Sequence, residues 1–198
     1  MTELLAKLNF TDQLAIMPHI NLPAGFPGIT GPLRAYPETA RHLNGLAEAL
    51  LRAPSSLTPA ERELIAARVS AVNECHFCTQ SHAAAARELY GNESAVVDLV
   101  LRDEASDTLS EKMLVLLTIA EKVSRDGRLV TSQDVEQARL AGADDRAIHD
   151  TVLIAAAFCM FNRYVDGLAT FAPPEPDDYK DAGKRLATEG YLTSIYER

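Results

Sequence analysis

The sequence predicts an all-α domain of six to eight helices. Three observations carry that expectation. No run alternates apolar and polar residues with period two, helix-start and helix-stop signals recur along the chain, and the longest apolar run, Val152 to Phe161, is apolar on all sides, as in a buried central helix or one packed on another subunit. With 198 residues, 47% of them hydrophobic and 24% charged, the chain fits one domain with a sizeable core, residues 1–198.

Five prolines and three glycines between Pro18 and Pro37 predict an irregular arm over 18–37, because proline removes a donor and glycine admits unusual backbone angles. A helix from about Glu38 to Arg52 follows, with Leu43, Leu46, Ala47, Leu50 and Leu51 on its apolar side. The next start is better marked. Thr58-Pro59-Ala60-Glu61 sets a capping threonine, a proline at the first helical position and a glutamate three residues after the cap ahead of Leu64, Ile65, Val69 and Val72. Asn73 is expected to interrupt the chain and cap a helix from about Glu74 to Tyr90, closed by Gly91-Asn92. Further helices read at about Glu93 to Leu101, Ser110 to Ser124, Ser132 to Leu140 and Asp144 to Thr170, with Gly127 and Gly142 between them. After Ala172, a proline-rich stretch opens a polar extension, 173–198, expected to lie over the surface or on a neighbouring chain.

Charge and termini exclude several partners. A net charge of -9, from 28 acidic and 19 basic residues without a long basic cluster, argues against nucleic acid and against an anionic membrane surface. The start, Met1 to Lys7, lacks a basic segment leading into a long apolar one, and Val152 to Phe161 is too short to span a bilayer, so a cytoplasmic protein is expected. In such a reducing compartment a close cysteine pair is more often catalytic or metal-binding than a structural disulfide.

Glu74-Cys75-His76-Phe77-Cys78-Thr79-Gln80-Ser81-His82 holds that pair. On a helix, offsets of three, four and seven residues put Cys75, Cys78 and His82 on one face. A thiolate, not a thiol, is the nucleophile, and an unperturbed cysteine is only about 3% ionised at pH 7. Two features could raise that fraction. Cys75 is expected in the first turn after Asn73, where free N–H groups favour negative charge, and His82, one turn beyond Cys78, can accept its proton. Glu63, on the preceding helix, could orient or deprotonate His82. Cys75, two turns from His82 at the helix start, is expected nearer to solvent than Cys78.

Each residue also has a plainer reading. The cysteines could be inert or, with His82 and Glu63, zinc ligands, although no second close Cys/His pair follows. His82 could be a hydrogen-bonded core histidine, and Glu63 a solvated residue or the partner of Arg68. Cys159, between Phe158 and Met160, reads as a buried small hydrophobe. Asn162, Arg163 and Asp166 need partners that a subunit interface or a site wall would supply, and His19, His42 and His149 read as surface or capping residues.

Leu57-Thr58-Pro59-Ala60-Glu61-Arg62-Glu63-Leu64-Ile65, Val69 to Asn73, Cys75-His76-Phe77-Cys78 and His82 together resemble the core of AhpD-like alkylhydroperoxidases in the carboxymuconolactone decarboxylase superfamily, over 57–90. The arm with Pro37-Glu38 and the stretch Ala155 to Leu168, which contains Phe161 to Leu168, are more loosely similar to its peroxidase-related members. The resemblance implies an all-helical, homo-oligomeric enzyme without cofactor or metal. It implies reduction of a hydroperoxide substrate through Cys75 and Cys78, with Glu63 and His82 as proton relay and a protein or lipoyl dithiol as reductant. The superfamily also holds lactone decarboxylases, which would use histidine and glutamate without cysteines, and a non-enzymatic oligomeric redox sensor is a third possibility. One element departs from the pattern. The best-described members place a second histidine directly before the second cysteine, where this chain has Phe77, and His76 is shifted by one position, about 100° around a helix.

Overall fold

The computed structural model describes residues 17–105 and 107–192. Among them lie nine α-helices and no strand: α1 (Thr30–Ala35), α2 (Pro37–Leu51), α3 (Pro59–Val72), α4 (His76–Tyr90), α5 (Ala95–Leu101), α6 (Glu111–Arg125), α7 (Ser132–Leu140), α8 (Asp145–Gly167) and α9 (Lys180–Glu189). All seven helices read from the sequence are present, with ends shifted by up to three residues. The two additions are α1, inside the expected irregular arm, and α9, inside the expected polar extension.

The start of α3 forms as its residues dictate. Thr58 accepts from the Glu61 N–H, the Glu61 carboxylate accepts from the Thr58 N–H at 2.7 Å, and Pro59 occupies the first turn. Such a cap contributes about 1 kcal/mol. Helix α3 then runs through the centre of the molecule, packing most extensively against α4 and also against α8 and α6. Leu64, Ile65 and Val69 of α3 meet Leu116 and Ile119 of α6 and Ile154 and Phe158 of α8 in a core from which solvent is excluded. Full burial of side chains of this size stabilises by about 1.5–3 kcal/mol each.

Between α3 and α4 the chain reverses in three residues. Asn73 is the C-cap of α3, Glu74 takes a left-handed conformation with φ 60°, and Cys75 is the N-cap of α4. Asn73 therefore closes the first helix and does not cap the second, and Cys75 precedes the first turn expected to contain it. The reversal is held from α8. Asn162, buried, accepts from the Asn73 carboxamide at 2.8 Å and donates to Ser70 Oγ at 3.0 Å, while the Cys75 N–H donates to the Ser70 carbonyl at 3.0 Å.

Helix α8 buries Ile154, Ala155, Phe158, Phe161 and Val165 but leaves Leu153, Ala156 and Met160 exposed, so its run of apolar residues includes an uncovered stripe. Among the described residues no helix is long and apolar enough to cross a membrane.

The C-terminal segment differs most from expectation. Helix α9 packs along α4 of the same chain, and the contact is close because Gly183 has no side chain: a Cβ there would lie 2.5 Å from the Ala84 Cβ. The arm is tied down as well, with the Gly28 N–H donating to the Phe171 carbonyl at 2.8 Å and the His19 N–H to the Leu168 carbonyl at 2.9 Å.

Candidate active site

Glu63 stands in the second turn of α3 and His82 in the middle of α4, and the tight reversal between the helices brings them face to face. The His82 Nδ1–H donates to Glu63 Oε2 at 2.7 Å. Because a carboxylate only accepts, this bond fixes the proton of the neutral ring on Nδ1 and leaves Nε2 as its basic nitrogen. The edge of the His82 ring meets Phe158 of α8, with centroids 4.5 Å apart, so the imidazole is wedged as well as bonded.

The other oxygen of Glu63 is also taken. Oε1 accepts from the Arg52 guanidinium at 2.6 Å and from the Tyr191 hydroxyl at 2.6 Å. Burial alone would raise the Glu63 carboxyl, yet the His82 ring, Arg52 and the Tyr191 hydroxyl together hold it below the usual carboxylate range. Glu63 is a fully buried anion with three donors. Its expected alternative partner, Arg68, lies elsewhere, bonding Glu121 at 2.7 Å and Asp103.

Cys75 and Cys78 are free thiols in a small apolar cluster with Phe77, Ala84, Val165 and Tyr179. Cys75 is 0% exposed and Cys78 3%, which overturns the expectation that Cys75 lies nearer to solvent. The reason is its place at the N-cap, turned into the α3–α4 reversal. Hydrogen bonding to Cys78 pushes the Cys75 thiol up, burial adds to this, and Asp166 at the end of α8 contributes in the same direction, with only the Cys78 backbone amide opposing. Cys75 is accordingly held as a thiol, hydrogen-bonded with Cys78. Cys78, in the first turn of α4 and one turn before His82, occupies the position where unpaired N–H groups favour an anion.

A cover lies over the pair. The Tyr179 ring packs on Phe77 with centroids 5.8 Å apart, and both the Tyr179 hydroxyl and His76 Nε2 reach the Pro173 carbonyl, at 2.8 and 3.0 Å. Gly28, at φ +54°, touches the same ring, since a Cβ there would fall 2.2 Å from Phe77. His76 is thus engaged with the cover and not with the Glu63–His82 pair.

Sequence reasoning places Glu63, Cys75, Cys78 and His82 in one site; the structure bonds Glu63 to His82 and pairs Cys75 with Cys78, the two pairs sharing α4 with Cys78 one turn before His82. It did not anticipate Arg52, Phe158, Tyr179 or Tyr191. Arg52 carried a faint signal, a lone cation at the end of the helix before Glu63; the aromatic residues carried none. Cys159 is half-buried, within 3.5 Å of Asn73 Nδ2, and away from the pair. Among the described residues no three His, Cys, Asp or Glu side chains converge as metal ligands, the set Cys75, Cys78, His82 and Glu63 included.

Residues 37–122 match the sequence profile of the carboxymuconolactone decarboxylase family. Two solved structures share this architecture over most of both chains. An uncharacterized peroxidase-related protein from Ralstonia eutropha JMP134, described as an alkylhydroperoxidase AhpD core, is 28% identical, with TM-score 0.70 over 81% of this chain and 83% of its own. Another from Silicibacter sp. TM1040 is 28% identical, with TM-score 0.68 over 76% and 78%. Together these likenesses support an assignment to the carboxymuconolactone decarboxylase superfamily, on its AhpD-like side. A putative antioxidant defence protein AhpD from Agrobacterium tumefaciens, 21% identical with TM-score 0.63 over 75% and 99%, agrees in fold. No curated protein matches the sequence. The superfamily profile spans α2 to α6 and so holds Arg52, Glu63, both cysteines and His82, whereas Asp166, Tyr179 and Tyr191 lie beyond it.

Proposed function

We propose that this AhpD-like protein is a thiol-dependent peroxidase and disulfide reductase working through Cys75 and Cys78. The observation that carries the reading is the buried Glu63–His82 bond of 2.7 Å, one helical turn from a cysteine whose neighbouring thiol faces it. A core histidine needs no anionic partner stripped of water, and inert thiols need no base beside them.

In the proposed cycle the Cys78 proton passes to His82 Nε2, and the imidazolium is stabilised by Glu63. The thiolate attacks one oxygen of the hydroperoxide; the O–O bond breaks, Cys78 becomes a sulfenic acid, and the departing alkoxide takes the proton from His82 to leave as alcohol. Cys75 then attacks the sulfenic sulfur, the S–S bond forms and water departs with the Cys75 proton. An external dithiol, of protein or lipoyl type, attacks the disulfide and returns both thiols while becoming a disulfide itself. With both sulfurs buried, this last step needs the Phe77–Tyr179 cover to open. Cytoplasmic location and homo-oligomeric assembly belong to the same reading, the second supported by the exposed stripe Leu153, Ala156 and Met160 on α8.

A steady-state assay of hydroperoxide consumption with several dithiol donors tests the proposal. Turnover is expected with at least one of them, lost in both Cys75→Ser and Cys78→Ser. A mild oxidant should give a Cys75–Cys78 disulfide in a non-reduced digest. Oxidation that instead links Cys159, or turnover that survives both substitutions, contradicts it.

A further inference from the structure

We propose that Tyr191, delivered by the C-terminal segment, is a positioning residue for His82: its hydroxyl sets, through Glu63, the pH at which the imidazole takes up a proton. The inference deepens the peroxidase reading and rests on it for its catalytic consequence.

Tyr191 reaches the site by a defined route. Gly183 lets α9 lie close against α4, and Gly190, at φ +76°, turns the chain back after the helix. The Tyr191 N–H then donates to Glu48 Oε2 at 2.7 Å, and the ring enters the protein with 7% exposure. There it lies nearly parallel to the His82 ring, 15° between planes and centroids 6.2 Å apart, and under the Arg52 guanidinium, 5.2 Å from the ring centre. Arg52 ties the two segments further by donating to both Glu63 and the Leu186 carbonyl of α9.

The hydroxyl stands between two titrating groups, 2.6 Å from Glu63 Oε1 and 3.3 Å from His82 Nδ1. Burial and the neighbouring Glu63 push the phenol well up, so it is a neutral O–H donor throughout the accessible pH range. Among the described residues, the charged and titratable groups around the pair are Arg52 and Glu48 from α2, Arg62 from α3, Cys78 one turn earlier on α4 and Tyr191 itself; from α8 the ring of Phe158 meets His82. Among these donors to Glu63, Arg52 is a permanent cation, whereas Tyr191 contributes a hydrogen bond that a single atom change removes.

The sign follows from how the carboxylate shares its charge. With Tyr191 donating to Oε1, part of the Glu63 charge is spent away from His82. Removing the hydroxyl leaves more for the Nδ1–H bond, which favours the imidazolium. In Tyr191→Phe the ring, its packing on His82 and its contact with Arg52 persist, and the His82 titration should move to higher pH.

The experiment follows the His82 imidazole by 15N NMR in the full reduced chain, assigned with His82→Ala, alongside the pH dependence of a single turnover with hydroperoxide. Expected are an upward shift of the ring titration in Tyr191→Phe, a matching upward shift of the acid limb of the peroxide reaction, and a urea midpoint lowered only by the lost hydrogen bond. Tyr191→Ala should add a loss of stability, since it removes the packing too. A Tyr191→Phe ring titration that coincides with the wild type, or moves down, overturns the inference and returns Tyr191 to a packing role. Should the ring shift while no dithiol supports peroxide turnover in the wild type, the peroxidase reading falls and the Tyr191 effect on His82 stands.

Discussion

Removing one proton acceptor is the smallest change that interrogates the site. His82→Ala should slow the reaction of Cys78 with hydroperoxide by about a hundredfold or more, the usual scale for loss of a general base, and Glu63→Gln should act in the same direction. The two should differ in stability. His82→Ala removes a buried ring, whereas Glu63→Gln takes away the counter-charge of Arg52 and an acceptor of Tyr191, at a cost of about 1–3 kcal/mol for donors left poorly paired. Rates of thiol alkylation against pH and urea midpoints separate these effects. At this scale the sequence was partly transparent. The Glu63–His82 pair was legible because the two residues lie on consecutive helices joined by a three-residue reversal, and Cys75, Cys78 and His82 were because they follow one another at helical spacing. Tyr191 was not, since 128 residues separate it from Glu63 and nothing in a polar tail marks an aromatic as buried.

At the scale of elements, the site depends on close approaches that only small or special residues permit. Gly28→Ala would push a methyl into the Phe77 ring and force a left-handed alanine, so it should cost about 1–3 kcal/mol and loosen the cover. The readout is faster reaction of Cys75 and Cys78 with a disulfide reagent at unchanged pH. Glu74, at φ 60°, gives the complementary case. Glu74→Gly should hold or gain stability, by up to about 1 kcal/mol, while Glu74→Val should lose about as much, because a branched side chain fits that conformation poorly. Urea unfolding of both variants checks the sign. The capping signal at Thr58 and Glu61 made the start of α3 legible to the residue. The start of α4 was misread by two residues, since both Asn73 and Cys75 can occupy a cap and only the Asn162 bridge from α8 decides which helix Asn73 serves. Helix α9 escaped notice because its buried side contributes little apolar pattern: Gly183 packs by having no side chain.

Across the whole molecule, an all-α fold could be read from the absence of period-two alternation and from the recurring caps. What the chain could not declare was that its last described helix returns to the Glu63–His82 pair. The buried electrostatics also give the molecule a definite acid response. Glu63 and Asp150 are held below the usual carboxylate range, burial being outweighed for Glu63 by His82, Arg52 and Tyr191 and for Asp150 by Ser55, Arg146 and His149, and Asp134 is pulled down to about 2, first by Lys122. Groups with depressed folded values stabilise above their unfolded values near 4 and lose that contribution as pH falls through the folded ones. Thermal midpoints should therefore be steady from neutrality down to about pH 5 and drop steeply between about pH 4 and 2. Asp134→Asn should lower the neutral midpoint and flatten part of the drop; an unchanged slope would mean that the Lys122 contact is not held in solution.

The central claim is that Cys78, beside the Glu63–His82 pair, is the sulfur that meets the peroxide and Cys75 the one that resolves it. Its most direct measurement traps sulfenic acid with a dione reagent after one equivalent of hydroperoxide, in each single cysteine variant. Cys75→Ser should be labelled at Cys78 and stall before turnover, and Cys78→Ser should show no label. Labelling of Cys75 in Cys78→Ser, with none in Cys75→Ser, would contradict the assignment and place the reactive thiolate at the N-cap of α4.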